Sequence, residues 1–229
     1  MRAQAVLLDK DGTLFDFQKT WAGWISKIIR EQAGGDKSFA ERFADALGFD
    51  LGRNLFLPES VVIAGTARQS AGVMAPFFPD HTIDDILKKF DQGAANVVPV
   101  PVLDLLPFVD RLLGSGQKIG IATNGSETGT YRQLELFEIS QKFHFVAGYD
   151  SGFGAKPDPG MCTAFCQAVA LAPEEAVMVG DSLHDLHAGR AAGMQTVAVL
   201  TGVASAQDLA SHADVVLPDI GHLHDWLAS

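Results

Sequence analysis

The chain reads as an α/β protein, a doubly wound and mostly parallel sheet with an inserted all-helical domain. Three observations predict it. Short apolar runs ending in turn or polar residues recur along the sequence, helical patterns fill most of the gaps, and one long segment breaks the alternation with helical patterns alone.

In order, the runs are AVLLD at 5–9, KIGIATN at 118–124, FHFVAG at 143–148, AVMVGD at 176–181 and QTVAVLTG at 195–202. Short, nearly continuous apolar stretches of this kind are the mark of parallel strands buried on both faces. Between them, LDLLPFVDRLLGSG places Leu105, Val109 and Leu112 at helical spacing, with Gly114 set to end the helix. PDPGMCTAFCQAVAL opens with Asp158 as a helix N-cap and Pro159 at the first helical position. The alternation gives a Rossmann-like sheet, which binds ligands at the carboxyl ends of its strands. From 17 to 99 there is no convincing strand. Four helical patterns stand instead: Trp21, Trp24, Ile25 and Ile28; Phe39, Phe43 and Leu47; a stretch over 66–77; and Ile83, Ile86, Leu87 and Phe90. The exit, NVVPVPVLD, is stiffened by Pro99 and Pro101. Residues 1–16 and 100–229 are therefore expected to form the α/β core, and residues 17–99 the helical insertion.

The bulk numbers narrow the function. A length of 229 residues suits one domain with an insertion. The formal charge of −11 provides no field to attract nucleic acid or an anionic membrane, so the expected partner is a small molecule. Cys162 and Cys166 lie one helical turn apart without a histidine pair at ligand spacing, which fits two small apolar residues in a reducing compartment better than a zinc site. The N-terminal apolar run is too short for a signal peptide and no stretch reaches membrane-spanning length. A cytoplasmic monomer or homodimer is the expectation.

The polar signatures gather at strand ends. In VLLDKDGTLFD, strand alternation would put Asp9 and Asp11 on one side and Lys10 on the other. Two carboxylates crowded together are tolerable if a divalent cation neutralises them or one keeps its proton, and hard oxygen donors suit Mg²⁺. Gly12 lets backbone N–H groups approach a phosphate. Thr123-Asn124-Gly125-Ser126 offers a hydroxyl and free amides beyond a strand, though it is equally ordinary turn chemistry. Lys156 lies in a glycine- and proline-rich loop. GDSLHD places Asp181 at the mouth of a helix, with Asp185 able to turn back towards it.

These four elements, DKDGT, the Thr123 turn, Lys156-Pro157 and GDSLHD, resemble in order the motifs of the haloacid dehalogenase-like hydrolase superfamily. The insertion is similar to that superfamily's helical cap, and the whole looks most like its phosphoglycolate phosphatase-type branch. The resemblance implies that Asp9 is a nucleophile forming an aspartyl-phosphate, and that Asp11 is the acid and then the base. It also implies that Asp9, the Asp11 carbonyl, Asp181 and Asp185 hold Mg²⁺, and that Asp9, Gly12, Thr123, Asn124 and Lys156 surround the phosphate. Relatives that cleave carbon–halogen or carbon–phosphorus bonds lack an Asp at the position of Asp11, which favours a small phosphorylated metabolite as substrate, phosphoglycolate first. A sugar phosphomutase-type phosphotransferase and a non-catalytic phosphate-binding protein are the alternatives. Lys10 departs from the branch's usual apolar residue and is expected to point away from the phosphate. For specificity, Arg53, Thr66 and Arg68 are the insertion's candidates, since an arginine can clamp a carboxylate bidentately. Trp21 and Trp24 are expected in the core of the insertion, and neither His184 nor His187 as a ligand.

Overall fold

The computed structural model describes residues 3–229, so the first two residues assigned to the core lie outside the described residues. The chain opens with β1 (Ala5–Leu8), every residue of which is buried. Val6 and Leu8 pack into one apolar cluster with Val109 and Val177, while Ala5 and Leu7 pack into another with Phe165 and Met178. A strand with apolar partners on both faces explains the continuous run in the sequence.

The insertion follows directly. It comprises α1 (Phe17–Ala33), α2 (Lys37–Leu47), the two-residue strands β2 (Phe49–Asp50) and β3 (Leu55–Phe56), α3 (Val61–Ala64), α4 (Ala67–Met74) and α5 (Ile83–Ala94). Asp16 caps α1 by accepting from the amide of Lys19, and Thr82 and Asp85 form a capping box on α5. The insertion has its own apolar cluster, in which Ile25, Phe43, Leu47, Phe56 and Ile86 are buried and Phe43 stacks on Phe77 at 4.5 Å. One correction concerns the β2–β3 ribbon in a segment read as purely helical. Gly48, at a φ of +63°, ends α2, the Asp50 carboxylate accepts from Arg53 N to close the turn, and Phe49 meets Phe56 edge to face at 4.9 Å. Strands this short leave no periodicity to read.

The chain then returns through α6 (Leu105–Gly114), β4 (Lys118–Ala122), α7 (Glu127–Glu135), β5 (Phe145–Ala147), α8 (Gly160–Val169), β6 (Ala176–Gly180), α9 (Leu183–Ala191), β7 (Gln195–Val199), α10 (Ala206–Leu209), β8 (Val215–Leu217) and α11 (Leu223–Ala228). The six-stranded sheet runs β5-β4-β1-β6-β7-β8, and each neighbouring pair is parallel. The short, half-buried edge strand β8 carries too weak a pattern to predict. A second correction concerns α8, which starts at Gly160 with Pro159 in the capping place. The Asp158 carboxylate, one residue further out, accepts from Gly160 N, the first amide of that helix.

The order of strands locates the ligand crevice. The chain leaves β1 towards β4 on one side and later reaches β6 on the other, so β1 is where the winding reverses. A crevice opens at such a point, at the carboxyl ends.

Candidate active site

Asp9 follows the last residue of β1, and its amide donates to Val179 O of β6 at 2.8 Å. The strand ends there. The amides of Leu14 and Phe15 both donate to Lys10 O, which folds residues 10–15 into a tight loop, with Gly12 at a φ of +89°. A Cβ on Gly12 would stand 2.3 Å from Asp181 Oδ2, and one on Gly202, in the loop after β7, 1.7 Å from the same atom. Two glycines thus leave the space that the Asp181 carboxylate occupies. Thr201 Oγ1 donates to Gly12 O at 2.6 Å and ties those two loops together.

Lys156 reaches this point from the loop before α8. Its ammonium donates to Asp9 Oδ1 at 2.5 Å, Asp185 Oδ1 at 2.5 Å and Ala122 O at 2.8 Å, which uses all three of its donors. Asn124 holds that loop in register: its side chain accepts from Lys156 N at 2.9 Å and donates to Lys156 O at 3.0 Å. Thr123 is buried, and its hydroxyl accepts from Gly125 N at 3.1 Å. Asp185 Oδ2 accepts from the amide and hydroxyl of Ser182, so one carboxylate both caps α9 and faces Lys156.

Oxygens of Asp9, Asp181 and Asp185 lie within 4.8 Å of one another, and all three residues are buried. Three carboxylates face one ammonium there. Burial pushes Asp9 up to about 7 against the opposing pull of Lys156, and burial with the charges of Asp9 and Asp185 raises Asp181 well above the usual carboxylate range. Burial works against the charge of Lys156, but Asp185 and Asp9 together hold it above the ordinary lysine value. A hard divalent cation fits this donor set, because it would supply the positive charge that the cluster lacks.

Asp11 lies to one side of that cluster, and both of its oxygens are engaged. Lys10 Nζ sits 2.6 Å from Oδ2, and Trp21 Nε1 of α1 donates to Oδ1 at 2.9 Å. Lys10 also donates to Gln133 Oε1 at 2.7 Å and lies 5.4 Å from the Trp21 ring centroid. This corrects the expected direction of Lys10. Strand alternation stops at Leu8, and the loop brings the lysine round beside Asp11 on the wall of the same cleft.

A model of the family described as haloacid dehalogenase-like hydrolase matches residues 6–199. The chain belongs to that family. Among curated relatives of this hydrolase, a pyrophosphatase PpaX from Bacillus mycoides is 36% identical, covering 87% of this chain and 84% of its own. A phosphoglycolate phosphatase from Psychrobacter arcticus is 26% identical, covering 91% and 88%. A solved haloacid dehalogenase-like hydrolase from Bacteroides fragilis superposes with a TM-score of 0.71 at 22% identity, covering 96% of this chain and 99% of that one, which bears on the fold alone.

The cleft of this hydrolase has a volume of about 170 Å³ and is lined by Asp9, Lys10, Asp11, Thr123, Asn124, Lys156, Asp181 and Asp185 from the α/β part, with α1, α3, α4 and α5 of the insertion closing over them. Of the specificity candidates, none lines it. Arg68 is exposed and paired with Asp84 at 2.5 Å, Thr66 caps α4 in a capping box with Gln69, and Arg53 is exposed in the ribbon turn. Trp21 and Trp24 pack in the insertion's own apolar cluster as expected, and the indole of Trp21 also reaches Asp11. Gln133 and Gly202 are further site residues that sequence reasoning missed. Neither has a motif around it, and each acts through a contact between segments far apart in the chain. His184 lines the cleft, and burial lowers its proton affinity.

Proposed function

We propose that this hydrolase cleaves small phosphomonoesters in two steps through an aspartyl-phosphate on Asp9. That it is a phosphatase follows from its family and from relatives named as phosphatases and pyrophosphatases. The single observation carrying the finer reading is the split environment of the two acids. Asp9 faces Lys156 among the buried carboxylates, while Asp11 is turned onto Lys10 and Trp21 in the same cleft. Pairs of carboxylates in unlike environments take unlike roles.

In the first step a carboxylate oxygen of Asp9 attacks phosphorus, and the ester oxygen departs with a proton from Asp11. Lys10 and Trp21 each hold one oxygen of Asp11 and keep the group aimed. In the second step Asp11 takes a proton from water, whose oxygen attacks the same phosphorus. The carboxylate of Asp9 is released, together with inorganic phosphate. Lys156 offsets the charge of Asp9 and of the phosphoryl group, whose oxygens the Thr123 hydroxyl and the amides of Asn124 and the Gly12 loop surround. Asp9, Asp181 and the Asp11 carbonyl, with Asp185 in support, are the groups for Mg²⁺, the hard cation that such oxygen donors favour; when bound it offsets phosphate and carboxylate charge. We assign catalysis to residues 1–16 and 100–229 and the cap to 17–99, a division supported by their separate apolar clusters. The insertion touches the core in this structure, with Tyr149 donating to Asp91 at 2.7 Å and Gln133 to the carbonyls of Ala94 and Val97. A closed cap keeps bulk water from the intermediate.

The test is phosphate release from a panel of small monoesters with Mg²⁺ or EDTA. Release that requires the metal and disappears in Asp9→Asn supports the reading. Phosphoryl transfer to a second sugar phosphate without free phosphate would replace it with the phosphotransferase.

A further inference from the structure

The relatives' names point to two different substrates, phosphoglycolate and pyrophosphate, and both are anions beyond the phosphoryl group that is transferred. A site for either must meet a second negative charge at the leaving-group end of the cleft. A buried carboxylate or phosphate without a cation or dense hydrogen bonding is strongly disfavoured.

The insertion's side of the cleft provides no cation for it. The surface facing the phosphate site comes from the insertion and is mostly apolar, with Trp21, Trp24, Ile63, Met74 and Phe90 in it, Ser70 contributing a hydroxyl and Ala67 at its rim. Trp24 stands edge to face with Trp21 and with Phe90, 5.6 Å away in each case, so the wall is aromatic as well as apolar. Among the described residues the insertion contributes one ionisable group to this lining, Asp91, which is an acid and already accepts from Tyr149. The two lysines on the cleft wall are both committed: Lys156 to Asp9, Asp185 and Ala122 O, and Lys10 to Asp11 and Gln133, its side chain only 3% exposed. The nearest cap arginine in sequence, Arg68, is turned out to Asp84. The whole cleft, phosphate site included, measures about 170 Å³, so what remains beside a phosphoryl group is no larger than the apolar cavity of about 150 Å³ that takes a benzene ring, which limits the alcohol to about one ring.

We infer that the substrate is a phosphomonoester of an uncharged alcohol bearing an apolar group about the size of one ring. This rests on the phosphatase reading and names its substrate class. The apolar group lies against Trp21, Trp24, Ile63, Met74 and Phe90, while the ester oxygen faces Asp11. Burial against these side chains recovers roughly 25 cal/mol for each Å² of apolar surface removed from water.

The experiment compares benzyl phosphate with phosphoglycolate, both esters of primary alcohols. The expected result is a kcat/KM for benzyl phosphate roughly a hundredfold above that for phosphoglycolate. In Ala67→Arg, which puts a cation at the half-exposed rim of the wall, the ratio narrows by about tenfold or more. Equal or better turnover of phosphoglycolate by the wild type would overturn the inference and leave the phosphatase standing. If neither ester yields phosphate, affinity decides the class. Emission from Trp21 and Trp24, titrated in Mg²⁺ with each ester, should respond to benzyl phosphate at lower concentration. A response first to phosphoglycolate would overturn it.

Discussion

The two walls of the cleft are built on opposite principles. On the α/β side, directed contacts fix the polar groups: Lys156 spends three donors, Asn124 grips the lysine's own backbone, and both oxygens of Asp11 are held. On the insertion's side the wall is aromatic and aliphatic, and the arginines stand outside. Directed polar contacts fix atoms to a geometry, as bond making requires, whereas an apolar wall selects by shape and lack of charge. On the proposed reading, the difference teaches that this hydrolase keeps its chemistry and its selectivity on separate segments of the chain, joined where Trp21 meets Asp11.

The comparison breaks most readily on the polar side. Asp9→Asn should lower kcat by roughly 10⁴-fold or more, as loss of a nucleophile does, without loss of the fold. Activity within about tenfold of wild type, in steady-state assays, would remove Asp9 from that role. Lys10→Met keeps the length of the side chain and removes its charge. It should lower kcat by about a hundredfold with little change in KM, because Asp11 loses one of its two restraints. An unchanged kcat would show that the contact does not aim the acid.

Two smaller effects sharpen it. Mg²⁺ at a hundred times its dissociation constant should stabilise the native protein by about 2.7 kcal/mol in thermal denaturation, and Asp181→Asn should lose most of that gain. Protection that survives Asp181→Asn would place the cation elsewhere. Arg68→Ala should change stability by under about 0.5 kcal/mol and leave kcat/KM unaltered, because its ion pair with Asp84 is exposed. A large rise in KM for a doubly anionic ester in that variant would bring Arg68 into the cleft and contradict the apolar wall.

The same split governs what the sequence made legible. The sheet, the strand ends and the Asp9, Thr123, Lys156 and Asp181 positions were readable because each depends on a local pattern: a short apolar run followed by polar residues at fixed spacing. Lys10 was misread because alternation was extended past Leu8, beyond the end of the strand. Trp21 and Gln133 were not found as site residues, since their contacts with Asp11 and Lys10 exist only once the insertion has docked. Arg53, Thr66 and Arg68 were chosen for chemistry alone, and helical periodicity says nothing of which face meets the cleft. The ribbon β2–β3 and the edge strand β8 are too short for period two to rise above their surroundings.

The most direct test of the central claim is to stop turnover of benzyl phosphate with acid in the steady state and weigh the peptide containing Asp9. A phosphoryl group on that peptide, localised to Asp9, lost on further incubation with water before the quench and absent from Asp9→Asn, is the predicted result. Phosphate release at the full rate with Asp9 never modified would mean that water attacks the ester directly, and would contradict the two-step account.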